Sequence, residues 1–265
     1  MKKYAFTFSV QQEFAEPILK HSFLLRCMPG TYPFQRSYAH KLTISPHAAL
    51  THITDVFGNE MYTGTIDKKH DKFGFTASGF VLSSKYLTHD PLDRLYLYPT
   101  KNTQPSPAMV QLTASSRLPE DDWARARALC AMTAKLLKFG EPGPCRPAAE
   151  VFASGVGDAR DYAHVLLTLC RLSGIPARFV SGLAVGVPIA HAWTEVYCGG
   201  FWRALDPTTG LPVEEGYLKI AHGPDYDNCA VERSCYRDPD TGVTRTVSVH
   251  VTEHVITTRD TVPHA

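Results

Sequence analysis

Residues 155–182 read GVGDARDYAHVLLTLCRLSGIPARFVSG, and the organisation of the chain can be worked outward from them. Gly155 and Gly157 make a turn, a short polar segment follows, and an amphipathic helix begins near Ala159. Leu166, Leu169, Cys170 and Leu172 supply its apolar face, Gly174 fits the position after the C-cap, and Pro176 prevents continuation. A strand, ARFVSGLAVG, comes next. A helix N-terminus lowers a thiol's pKa and offers N–H groups to an oxyanion, so this turn-to-helix entrance is a place for a nucleophile. The residue at its tip is Ala159, which has no reactive group.

Downstream, HAWTEVYC and FWRALDP alternate around Gly199-Gly200, a two-residue hairpin signal. Pairing Cys198 with Phe201 sets Trp193 opposite Asp206 and makes Asp206 the diagonal neighbour of His191, on the same face. A carboxylate that reaches one imidazole nitrogen fixes the tautomer and stabilises the imidazolium, which is half of a nucleophile, base and orienter set. Trp193, beside His191, is the candidate substrate contact. Asp161 and His164, three apart on the helix, could with His191 imitate a metal site, but capping and packing account for them, and no cofactor is expected.

Three blocks carry a resemblance: Gly157-Asp158-Ala159-Arg160-Asp161-Tyr162-Ala163-His164, His191-Ala192-Trp193 and Asp206-Pro207-Thr208, with GIPARFVSG between the first two. Together they resemble the signature blocks of the transglutaminase-like superfamily of papain-like cysteine enzymes, whose first block has the form Gly-x-Cys-Arg-Asp-Phe/Tyr-Ala-His. The runs AHGPDYDN and TGVTRTVSVHVTEH resemble the C-terminal end of bacterial members, and the β-rich N-terminal region resembles their N-terminal domain. The resemblance implies that His191 is the general base, that Asp206 orients it, and that Ala159 stands where the family has its nucleophilic cysteine. It implies a cysteine-dependent amide or peptide hydrolase acting through an acyl-thioester, with transfer to an amine or silent binding of a peptide-like ligand as alternatives. Every supporting residue is retained around Ala159, which favours an inactive nucleophile-to-alanine variant over natural decay. Cys170 cannot substitute, because eleven helical residues place it roughly 16 Å further along.

The rest of the chain frames this site. Its 265 residues are 44% hydrophobic and 20% charged, enough for one large domain or two small ones. Twenty-seven basic and 26 acidic residues leave a formal net charge of +1, which argues against a nucleic-acid partner. The start, MKKYAFTFSV, alternates where a signal peptide would be apolar, and no stretch has the length of a membrane span, so a cytoplasmic location is expected. Seven scattered cysteines without a CxxC pair argue against a disulfide framework or a zinc ribbon. Up to about Thr113, runs such as YAFTFSV, SFLLRCM, HKLTIS and RLYLYPT predict short antiparallel strands. KNTQPSPAMVQLTASSRLPEDD has the density of a linker, DDWARARALCAMTAKLLKFG predicts a helix stopped by Gly140, and AAEVFAS a shorter one. The expected architecture is α+β: an N-terminal antiparallel β domain (1–113) before a papain-like, transglutaminase-like catalytic domain with C-terminal strands (114–265). The expected partner is a peptide or amide-containing substrate.

Overall fold

The structure is a computed structural model and describes residues 1–237 and 242–256. Its first half is built on β1 (Lys2–Leu25), β2 (Gln35–Ser45), β3 (Thr51–Thr54), β4 (Glu60–Ile66) and β5 (His70–Ser83), in the order β2-β5-β1-β4-β3, all antiparallel. YAFTFSV and SFLLRCM, expected as separate strands, belong to the single long β1. They pair differently: residues up to Glu13 face β5, whereas His21–Leu25 face β4. Between them the register with β5 shifts and Lys20 takes a left-handed φ of 53°, so the strand bends and the sheet curls. Tyr4, Phe6, Phe8, Val10, Phe14 and Phe23 fill the buried side, the even-numbered ones following the period of two.

RLYLYPT forms no strand. Arg94–Leu97 is a 3₁₀ turn, because Asp93 accepts the Leu95 N–H and the turn buries Tyr96. The stretch expected as a linker contains α1 (Pro107–Ser115), with Ser106 accepting the Met109 N–H and Pro107 in the first turn. Helix α2 (Asp122–Leu136) is capped by Asp121 and ends before Gly140, since Leu137 is already extended. The chain then forms β6 (Lys138–Phe139), passes through α3 (Ala148–Ser154), ended by left-handed Gly155 (φ 68°), and lays β7 (Val156–Gly157) parallel to β6. That pairing holds the turn in front of α4 (Ala159–Leu172), which follows with Ser173 as C-cap and Gly174 at φ 74°.

Helix α4 is buried along nearly its whole length and packs against β8 (Ala177–Ala184) and β9 (His191–Cys198). With β10 (Phe201–Asp206), β11 (Leu211–Pro212) and β12 (Tyr217–Gly223) these strands form an antiparallel sheet in the order β11-β10-β9-β8-β12. The hairpin has the expected register, Phe201 opposite Cys198 through Leu205 opposite Thr194. After the one-turn helix α5 (Tyr226–Cys229), β13 (Glu232–Arg237) and β14 (Val243–His254) return to the first sheet. The sequence reading groups these C-terminal strands with the catalytic part, yet both pair with β1, so β1 receives strands from both ends of the chain. Thr241, at the start of the run read as C-terminal strand, lies outside the described residues. No helix among the described residues is long and apolar enough to cross a membrane.

Gly182 shows how tightly the second sheet is closed behind the site. It pairs with His191, and a Cβ there would come within 2.3 Å of both the Leu218 carbonyl oxygen and Trp193 Cη2. Neither a backbone carbonyl nor a wholly buried indole can step aside. Gly182→Ala should therefore cost about 1–3 kcal/mol, the range for forced overpacking, measured as a shift in the urea midpoint. An unchanged midpoint would contradict this packing.

Candidate active site

The local sequence fixes the tip of α4. Asp158 precedes the helix in extended conformation and accepts the N–H groups of Arg160 and Asp161, while the Asp161 carboxylate accepts the Asp158 N–H. Arg160 pairs with Asp158, and Arg146 with Asp161. This double cap changes one expectation: the Arg160 and Asp161 N–H groups serve the cap and are not free for an oxyanion. Among the described residues the N–H of Ala159 has no acceptor, so it is the helix-end donor left for a ligand.

His191 and Asp206 meet as the hairpin register requires. His191 Nε2 donates to Asp206 Oδ2 at 2.7 Å, leaving Nδ1 as the other face of the ring. The other carboxylate oxygen, Oδ1, accepts the Thr208 N–H at 2.8 Å and its hydroxyl at 2.7 Å. Burial alone would raise the Asp206 carboxyl, but the hydrogen bond and charge of His191, with Thr208 and Tyr217, outweigh it and hold the group below the usual carboxylate range. Asp206 is thus an ionised, fixed acceptor at neutral pH.

Ala159 and His191 both line a cleft of about 520 Å³. Its wall includes Gly143, Arg160, Phe179 and Tyr226 and, from β14, Val243, Arg245 and Val247. Trp193, expected to touch substrate, does not line it. The indole is wholly buried, donates to the Tyr86 hydroxyl at 3.1 Å and packs 6.2 Å from the His191 ring, so it braces that imidazole from behind. His164 is engaged elsewhere: its Nε2 accepts the Tyr226 N–H at 3.1 Å. None of the seven cysteines lines the cleft. Cys170 is wholly buried and Cys145, 3.6 Å from His164 Nδ1, has its thiol pushed up to about 12 by burial.

Residues 110–207, which contain this helix tip, His191 and Asp206, match the core family described as transglutaminase-like superfamily, and residues 4–82 match the bacterial transglutaminase-like N-terminal region. These two regions are those of the transglutaminase-like superfamily. The fold of the chain is similar to that of a candidate cysteine protease from Cytophaga hutchinsonii, with a TM-score of 0.81 over 97% of this chain and 92% of that one at 20% identity. In sequence it is similar to the uncharacterized protein ML0607 of Mycobacterium leprae, 34% identical over 90 residues. It is also similar to the uncharacterized protein Rv2569c of Mycobacterium tuberculosis, 30% identical over 93 residues. These matches cover 30% and 29% of this chain and 32% and 30% of the relatives, so they span about a third of the relatives' length.

One residue of this transglutaminase-like site escaped the sequence reading. Tyr217, on β12, donates to Asp206 Oδ2 at 2.8 Å, the same oxygen that receives His191. No local pattern marks it, because β12 lies at the far edge of the sheet from β10 and reaches Asp206 only through the tertiary arrangement. Tyr217→Phe removes a hydrogen bond to a charged acceptor and should cost about 1.5–3 kcal/mol at neutral pH. The sign with pH follows from linkage. A carboxyl lowered by folding adds stability above its unfolded value, near ~3.9, and loses it as pH falls through the folded value. Removing Tyr217 raises the folded value, so the gap between variant and parent should shrink as pH is lowered below about 4. A gap that widened in acid, in urea melts across this range, would show that Tyr217 stabilises something other than the carboxylate.

Proposed function

We infer that the cleft binds a peptide or other carboxamide and that its design is that of a cysteine-dependent amide hydrolase whose sulfur is absent, with Ala159 in the nucleophile's place. The observation that carries this is the convergence of a capped helix N-terminus and a hydrogen-bonded His191–Asp206 pair on one cleft. With a cysteine at position 159, His191 takes the thiol proton and the thiolate attacks the carbonyl carbon. The backbone N–H of that residue steadies the oxyanion, and collapse breaks the C–N bond as His191 protonates the departing amine. Water then hydrolyses the acyl-thioester to acid and thiol; an amine in its place would give transamidation. Hydrolysis is the outcome favoured here, since the cleft that Ala159 and His191 line has room for water beside them.

The chain as it stands has no atom to carry the acyl group, so it acts as a binder of the same amide. The buried free cysteines Cys27, Cys130, Cys170, Cys198 and Cys229 suit a reducing compartment, and the proposal places the protein in the cytoplasm. The test is Ala159→Cys incubated with capped peptide pools and followed by intact-mass spectrometry. An acyl-enzyme adduct or peptide cleavage is expected, with binding but no turnover for the parent chain. No adduct, no cleavage and no binding would overturn the reading.

A further inference from the structure

Part of the cleft wall comes from outside the papain-like core. Val243, Arg245 and Val247 are alternate residues of β14, and all three line the cleft with Ala159 and His191. Along its inner side β14 pairs with β1, placing Val243, Arg245, Val247 and Val249 opposite Phe14, Gln12, Val10 and Phe8. Successive residues of a strand direct their backbone groups to opposite sides. Val249 donates its N–H away from β1, to the Pro188 carbonyl at 2.8 Å, and Gly242 directs its carbonyl towards Ala15 on β1. By this parity the N–H and C=O groups of Val243, Arg245 and Val247 point outward. Among the described residues no strand pairs with that outer edge.

Charge narrows what can lie there. Asp158 and Arg160, both in the cleft wall, are paired with each other, and His191 is paired with Asp206. Arg245 is held more loosely. Its Nε forms a long ion pair with Glu232 at 3.6 Å, beyond hydrogen-bond length, and that carboxylate also accepts from Gln12 and Ser234. The Glu232 side chain is buried at 6% exposure, whereas Arg245, at 37%, reaches solvent. An arginine flanked by two valines on an open strand edge offers a carboxylate site between two apolar contacts.

We propose that the outer edge of β14 docks an extended acidic peptide segment as an added strand, with an Asp or Glu side chain on Arg245 and backbone hydrogen bonds to Val243, Arg245 and Val247. This rests on the reading of the cleft as an amide site, and it names the substrate class: a chain selected by backbone pairing and one acidic residue.

The probes are capped octapeptide pools, one with a fixed Glu and one with a fixed Lys, plus the Glu pool N-methylated at alternate amides, added to the isotopically labelled full chain. The Glu pool should slow amide exchange at residues 243, 245 and 247 by tenfold or more; the N-methylated pool should not. Arg245→Glu, at an exposed side chain, should weaken the Glu pool at least tenfold and favour the Lys pool, while circular dichroism confirms an unchanged fold. If peptides shift the Ala159 and His191 resonances but leave β14 exchange untouched, the docking edge is wrong and the amide-site reading stands. If they shift neither, both fall. β14 protection that grows with protein concentration without peptide would make the edge a self-association surface and overturn the proposal.

Discussion

Iodoacetamide should label Ala159→Cys faster than any of the seven native cysteines, with the advantage greatest on the acid side of neutrality. The new sulfur would sit on a side chain that lines the cleft, at a helix N-terminus and in the same cleft as His191. These are the conditions that bring a thiol from about 8.5 into the range of roughly 3.5–7.5. Against it stand burial, which pushes up the thiols of Cys27, Cys130, Cys170, Cys198 and Cys229, and the exposed Cys235, the fair comparison. Near pH 6 a thiol lowered to about 6 is roughly half ionised and one at about 8.5 less than one per cent, but the more acidic thiolate is the weaker nucleophile. The two effects leave a net advantage on the order of tenfold over an exposed thiol of ordinary pKa. Adding His191→Ala should abolish it, because the imidazolium that stabilises the thiolate is gone. A new thiol that titrates near ~8.5 with or without His191 would remove the physical basis for nucleophilic chemistry at this tip.

Glu195→Gln should be the most destabilising isosteric change on the sheet behind the site. Glu195 is wholly buried, pairs with the Arg178 Nε, and receives Lys219 Nζ at 2.8 and 2.9 Å and the Tyr86 hydroxyl at 2.6 Å. Burial would raise its carboxyl, yet Arg178 and Lys219 hold it well below the ordinary range. Burial and Arg178 push Lys219 down to about 8 even with Glu195 opposing them. Neutralising the one anion that both cations share, apart from the Asp90 contact of Arg178, strands Lys219 in the core. Loss of one member of a buried ion pair costs about 3–5 kcal/mol.

The pH dependence separates this cause from lost packing. Without Glu195 the Lys219 ammonium becomes still less favourable in the folded protein, and its folded pKa falls further below the unfolded value near ~10.4. The unfolded chain then binds more protons across that interval, so the stability of Glu195→Gln should rise as pH is raised through it. Lys219→Met in the same background should recover part of the loss, since it removes the stranded charge. Urea melts between pH 6 and 10 test both points; a deficit that is constant with pH and untouched by Lys219→Met would mean that the charge is not its cause. The site should respond as well, because Tyr86 links Glu195 to the Trp193 indole that packs on His191.

The sequence by itself determined the parts of this protein that a few neighbouring residues can encode. Asp158 and Gly174 mark the ends of α4 because capping is decided within one turn, and Gly199-Gly200 sets the β9–β10 register because a two-residue turn leaves no slack. From that register alone His191 and Asp206 become neighbours, and the structure puts them 2.7 Å apart. Tertiary structure alone decided which of these features meet. RLYLYPT alternates like a strand but coils into a 3₁₀ turn, since burying Tyr96 beside Trp202 outweighs its local preference. Trp193 looked like a substrate contact because alternation fixes its face and says nothing of depth; Phe34, Tyr86 and Tyr217 close over it. Tyr217 reaches Asp206, and β14 reaches both β1 and the cleft, through pairings between residues far apart in the chain. Strand alternation specifies an apolar face but not its partner, and that partner is whichever edge remains open once the rest of the chain has packed.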